Sequence, residues 1–111
     1  MSGLSPTQLT LRHLRDGWPL VEVVEHWNPH ARKRHDLFGF VDVLAVGPHG
    51  VLAVQTTTVG NVAARISKIR EHPNLRPVLE AGVVVRVHGW RKRAGRWQLH
   101  RNERIIAGDD Q

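Results

Sequence analysis

Two apolar runs in the middle of the chain, Phe38–Val46 and Val51–Thr58, are separated only by Gly47-Pro48-His49-Gly50. Val- and Thr-rich runs broken by a Gly/Pro cluster specify neighbouring antiparallel strands. With the four turn residues as the loop, Val46 pairs with Val51, and counting back sets Asp42 opposite Gln55. Opposed residues share a sheet face, and side chains alternate along each strand. Asp42, Gln55 and Thr57 are therefore expected to line one patch. A carboxylate in an otherwise apolar strand is expensive unless it is paired or bound to a metal, so chemistry is expected there.

The flanking segments supply helices. Leu4-Ser5-Pro6-Thr7-Gln8-Leu9 combines an N-cap Ser5, Pro6 at the first helical position, Gln8 for a capping box and a Leu4/Leu9 staple. The helix turns Leu11 and Leu14 inward and Arg12 and Arg15 outward, and stops at Gly17. Val21–Trp27 reads as a strand with Val21, Val23, Glu25 and Trp27 on one face, followed by a polar basic loop from Asn28 to His35. Beyond the hairpin, Gly60-Asn61 opens a helix with Val62, Ile66 and Ile69 inward and Asn61, Arg65, Lys68 and His72 on the other face. A short helix over Pro77–Ala81 closes at Gly82. Val83–Val87 reads as a buried strand, Arg91–Arg96 as a basic turn, and Trp97–Arg101 as an edge strand. The expected fold is a single α/β domain over residues 1–111, one mixed sheet flanked by helices, with its core in 6–107 and a frayed tail over 108–111.

Charge narrows the partners. Lys and Arg number 16 against 10 Asp and Glu, a net charge of +6. Arginine-rich surfaces match phosphate geometry through their planar donor fork, so a polyanion, DNA above all, is the expected partner. Arg32, Lys33 and Arg34 in one loop, and Arg91, Lys92, Arg93 and Arg96 in another, are the candidate phosphate contacts, joined by Arg65. The chain has no cysteine, which removes disulfides and thiolate zinc sites, and His26 and His30, with Pro29 between them, do not make a zinc site. No apolar run approaches a membrane span and the N-terminus has no signal pattern, so no membrane partner is expected.

A hairpin with Asp on its first strand and an acidic or amide residue thirteen positions later resembles the core of the PD-(D/E)xK nuclease superfamily. The string Arg34-His35-Asp36-Leu37-Phe38-Gly39-Phe40-Val41-Asp42, then Val54-Gln55-Thr56-Thr57 and His88-Gly89-Trp90-Arg91-Lys92, is similar to small phage-type nucleases of that group. The interval is shared with Holliday-junction-resolvase-like nucleases. The resemblance spans residues 7 to 104 and implies a restriction-endonuclease-like α-β-β-β-α-β core. It implies a Mg²⁺- or Mn²⁺-dependent endodeoxyribonuclease, selective for DNA structure or branches, in the cytoplasm of a bacterial or phage-infected cell. In that family the metal is held by the positions of Asp42 and Gln55, by the Thr56 carbonyl, and by an upstream acid, for which Glu25 is the candidate and Asp36 the competitor.

Two positions depart from the pattern. Gln55 stands where the family has Glu, and Thr57 where it has the catalytic Lys. Related nucleases move that lysine to the following helix, which points to Lys68. A homodimer is expected, because two small subunits can place two sites on one substrate. Two other classes compete: a nuclease-fold module that holds DNA without cutting it, and a basic assembly protein that meets an acidic partner.

Overall fold

The computed structural model describes residues 3–107. Helix α1 (Pro6–Arg15) is followed by strands β1 (Leu20–Val23), β2 (His26–Asn28), β3 (Lys33–His35), β4 (Val43–Gly47) and β5 (Gly50–Thr58). A 3₁₀ turn (Val59–Asn61) leads into α2 (Val62–Glu71) and α3 (Leu75–Glu80), and β6 (Val84–Arg93) and β7 (Arg96–Ile105) follow. The main sheet has five strands in the order β1-β4-β5-β6-β7, and β2-β3 form a separate two-stranded sheet. Only β5 and β6 run parallel, because α2 and α3 carry the chain back across the sheet between them. Among the described residues no helix is long and apolar enough to cross a membrane. The tail expected to fray from Gly108 lies outside the described residues.

The start signals of α1 and α2 hold, while the short helix expected over Pro77–Ala81 begins two residues earlier, at Leu75, and ends at Glu80. Ser5 caps α1 by accepting from the Gln8 amide at 3.2 Å, and Leu11 and Leu14 are buried. The central hairpin has the expected register, Val46 opposite Val51, although Gly47 and Gly50 also pair and leave Pro48-His49 as the turn. Alternation along β5 splits the core: Leu52 and Val54 face Leu11, Leu14, Val21, Val43 and Ala45, while Ala53 faces Phe40, Val62, Ile69, Val85 and Val87.

Three strand boundaries differ from the sequence expectation. The first apolar run is not strand over Phe38–Asp42, because Phe38 (φ 59°) and Gly39 (φ 94°) reverse the chain with the φ pattern of a type I′ turn. Leu37 and Val41 exchange amide-to-carbonyl bonds of 3.0 and 2.9 Å across that reversal. This has a consequence upstream. β1 pairs with β4 as far as Val23 on Val43, and the Val24 amide still donates to the Asp42 carbonyl at 2.8 Å. Beyond that bond the pairing ends, so the run expected as Val21–Trp27 breaks at Glu25. Its remainder becomes β2, paired with β3 inside the segment expected as loop. At the other end of the chain, Ala94 (φ 52°) and Gly95 (φ 76°) form a two-residue turn. The Arg91–Arg96 segment is therefore mostly strand, and β6 and β7 are each ten residues long.

Polar residues also hold the helices to the sheet. Trp90, buried as a core side chain, donates from Nε1 to Thr10 Oγ1 at 2.9 Å, and Thr10 Oγ1 lies 3.1 Å from His88 Nδ1. Burial pushes His88 down to about 4, helped by His13 and Arg86, so its ring is neutral at pH 7. At Gly89 the start of α2 lies close against the sheet. A methyl group there would overlap Val62 and lie 3.3 Å from the Val59 Cα and 3.2 Å from the Arg101 Cβ. Gly89→Ala is expected to destabilise the fold by about 1–3 kcal/mol, read as a Tm lowered by roughly 5–15 °C in thermal denaturation.

Candidate metal centre

The reversal at Phe38-Gly39 fixes the site, because it folds Asp36, just after β3, back beside Asp42, just before β4. Glu25 reaches the same point from the break between β1 and β2. One carboxylate oxygen from each of Glu25, Asp36 and Asp42 lies within 4.8 Å of the others. Both candidate upstream acids therefore converge on Asp42, where the sequence reading had them compete.

Asp42 is only 4% exposed. Its Oδ2 accepts from the Thr56 amide at 2.8 Å and from Thr56 Oγ1 at 3.3 Å. Thr56 Oγ1 is 2.8 Å from Thr7 Oγ1, and Thr7 donates in turn to Glu25 Oε2. Two hydroxyl protons thus serve three contacts, so the chain is complete only when a carboxyl brings its own proton. The electrostatics agree. Burial, with repulsion from Asp36 and Glu25, pushes Asp42 up to about 7 against the pull of the Thr56 amide. Burial also raises Asp36, with Glu25 adding to it, while the hydrogen bond with Asp42 and the charges of Arg65 and Arg34 pull the other way. A site that resists its own negative charge in this way gains most from a cation.

Two clefts open beside the triad. The first, about 440 Å³, is lined by Thr7, Glu25, Arg34, Asp36, Asp42, Thr56, Thr57, Asn61 and Arg65 among others. The second, about 340 Å³, is lined by Asp36, Gln55, Arg65, Lys68 and His72 among others. Asp36 and Arg65 belong to both and form the divide. The polar stripe expected on α2 faces these clefts, with Asn61 in the first, His72 in the second and Arg65 in both.

The single patch expected for Asp42, Gln55 and Thr57 is divided. Thr57 shares the first cleft with Asp42. Gln55 lines the second, where its Nε2 donates to the Phe40 carbonyl at 2.9 Å. The physical reason is the bend at Asp42, which frees its carboxylate from strand alternation and turns it to Thr56. Lys68 lies with Gln55, beyond the Asp36 divide from Thr57. In an antiparallel pair the amide and carbonyl of one residue face the same neighbour, so the Thr56 carbonyl is directed to the side that holds Asp42.

Basic residues frame the same end of the sheet. Arg34 extends from β3 into the first cleft, with Nη1 3.4 Å from Glu25 Oε1, and Arg32 and Lys33 lie beside it on the β2-β3 hairpin. β5 ends at Thr58 opposite Trp90, so Arg91, Lys92, Arg93 and Arg96 project beyond it. Lys92 Nζ sits 5.8 Å from the Trp97 ring centre. Thr7 is the site residue that sequence reading missed. Its signal was present, since Thr7, Thr10, Leu11 and Leu14 share one face of α1 and all four are buried.

No family model, curated protein or solved structure matches this chain.

Proposed function

We propose that the protein is a divalent-metal-dependent endodeoxyribonuclease, selective for DNA structure rather than sequence. The observation that carries this reading is the convergence of Glu25, Asp36 and Asp42 within 4.8 Å at the floor of an arginine-walled cleft. Three carboxylates suit a hard cation such as Mg²⁺ or Mn²⁺, which takes oxygen ligands and keeps waters. The Thr56 carbonyl is a fourth oxygen on the same side. The strand plan supports the reading too: antiparallel β1, β4 and β5, then helix α2, then β6 parallel to β5, the order of a restriction-endonuclease-like core.

A bound cation would polarise a phosphate and make an attacking water more acidic. The chain's own groups do the rest. Arg34 and Arg65 hold the phosphate against the carboxylates and offset its charge. Thr7 and Thr56 fix the orientation of Glu25 and Asp42. Lys68 lines the neighbouring cleft with Asp36 and Gln55, and it would take the place of the missing lysine for a phosphate that reaches the shared wall at Asp36. The residues on the two basic hairpins hold the DNA backbone on either side.

One observation favours a second reading. In the triad's cleft a hydroxyl, Thr57, occupies the position of the family's lysine, and Lys68 lines the neighbouring cleft instead. A module that binds DNA without cutting follows from that arrangement. The deciding experiment is cleavage of labelled linear duplex, single strand, flap and four-way junction in Mg²⁺ or Mn²⁺, against EDTA. Metal-dependent cutting of one or more substrates is expected of the enzyme, and binding without cutting in either metal is expected of the module.

A further inference from the structure

One tryptophan of this chain is spent on solvent. Trp90 is in the core and Trp18 and Trp97 are half-buried, but Trp27 is 57% exposed. It does not sit on the main sheet, where an exposed aromatic would be one side chain among many. It lies on the separate β2-β3 hairpin, directly opposite Arg34. Directly opposed residues of an antiparallel pair project from the same face. The other face of this hairpin is occupied, since His26 and His35 stack on each other there with ring centres 6.2 Å apart.

Arg34 establishes which way the Trp27 face looks. Its guanidinium enters the first cleft and stands 3.4 Å from Glu25 of the acidic triad. The indole is thus on the same side of the hairpin as the Arg34 guanidinium, with Arg32 in the turn beyond, while Lys33, paired with Asn28, projects from the other face. A flat indole left in water on the same face as a guanidinium that enters the cleft offers both a stacking platform and a charge to one ligand. The combination of a flat π-face and backbone-neutralising cations is what unpaired nucleotides bind, because every base can stack whatever its identity. A duplex keeps its bases stacked on each other and offers the indole nothing equivalent.

We infer that Trp27 is a base-stacking residue that directs the site to DNA with an unpaired nucleotide next to the phosphate held by Arg34. This deepens the nuclease reading and rests on it. It accounts for selectivity by DNA structure, because stacking on an unpaired base does not depend on which base it is.

The test is affinity for an oligothymidylate single strand and for a duplex of equal length, in Ca²⁺, with wild type, Trp27→Ala and Trp27→Phe. Trp27→Ala is expected to weaken single-strand binding roughly tenfold and to leave duplex binding within about twofold. Trp27→Phe, which restores a π-face, is expected to recover most of the loss. Thermal denaturation of Trp27→Ala serves as the structural control, with an unchanged Tm expected for so exposed a side chain. Equal losses on both DNAs, or no loss on either, would overturn the stacking role while leaving the nuclease reading intact. Wild type that binds neither DNA would overturn both.

Discussion

Asp42→Asn is expected to lower metal-dependent cleavage by at least about a thousandfold while DNA binding stays within a few-fold. The substitution keeps the side chain's shape and an oxygen to accept from the Thr56 amide, now at 2.8 Å from Oδ2. It removes the most buried of the three negative charges that would hold the cation. A positioned Lewis acid is worth several kcal/mol at a phosphoryl group, and each ~1.4 kcal/mol is tenfold in rate. Single-turnover cleavage alongside a binding titration checks both halves. A rate within tenfold of wild type would mean that the triad is not where the cation acts.

The same substitution has a second large effect, of the opposite sign. Without metal at pH 8, Asp42→Asn is expected to raise the Tm by roughly 5–10 °C. Asp42 stands at about 7 in the fold against an ordinary 3.8, chiefly because it is buried and then because Asp36 and Glu25 repel its charge. A carboxyl raised in the folded state contributes fully below about 3.8, and that contribution is lost as pH rises through about 7. At pH 8 the wild type therefore holds a charge that it resists, while asparagine stays neutral and can donate toward Asp36. The difference in Tm should shrink toward zero near pH 4, where both side chains are neutral. Millimolar Mn²⁺ should reverse the order at pH 8, because it stabilises only the protein that binds it. A lower Tm for the variant at pH 8 without metal would make Asp42 a structural carboxylate held by Thr56.

What sequence made legible was local and periodic. The Gly47-Pro48-His49-Gly50 cluster is a turn in any context, so the register of β4 on β5 followed from it. The Ser5-Pro6 start fixed α1, and the spacing of Asn61, Arg65, Lys68 and His72 placed one side of α2 over the clefts. The reversal at Phe38-Gly39 was hidden because its residues are as apolar as a strand, and only the left-handed φ of Gly39 and Phe38 gives it away. Everything that depended on the reversal was hidden with it. The break of the first strand at Glu25 and the meeting of Asp36 with Asp42 go with that turn, while the parting of Gln55 from Asp42 comes from the bend at Asp42 itself. Thr7 was missed for a different reason. Its position on the inward face of α1 was readable, but a buried hydroxyl has many possible acceptors, and Glu25 and Thr56 became its partners only through the tertiary fold.

The most direct test of the central claim, that Glu25, Asp36 and Asp42 hold a divalent cation, is anomalous scattering from crystals soaked in Mn²⁺. The account predicts a peak bonded to oxygens of all three carboxylates in wild type and no peak there in Asp42→Asn. A wild-type crystal with no manganese among these carboxylates, or with manganese held there equally by the variant, would contradict it.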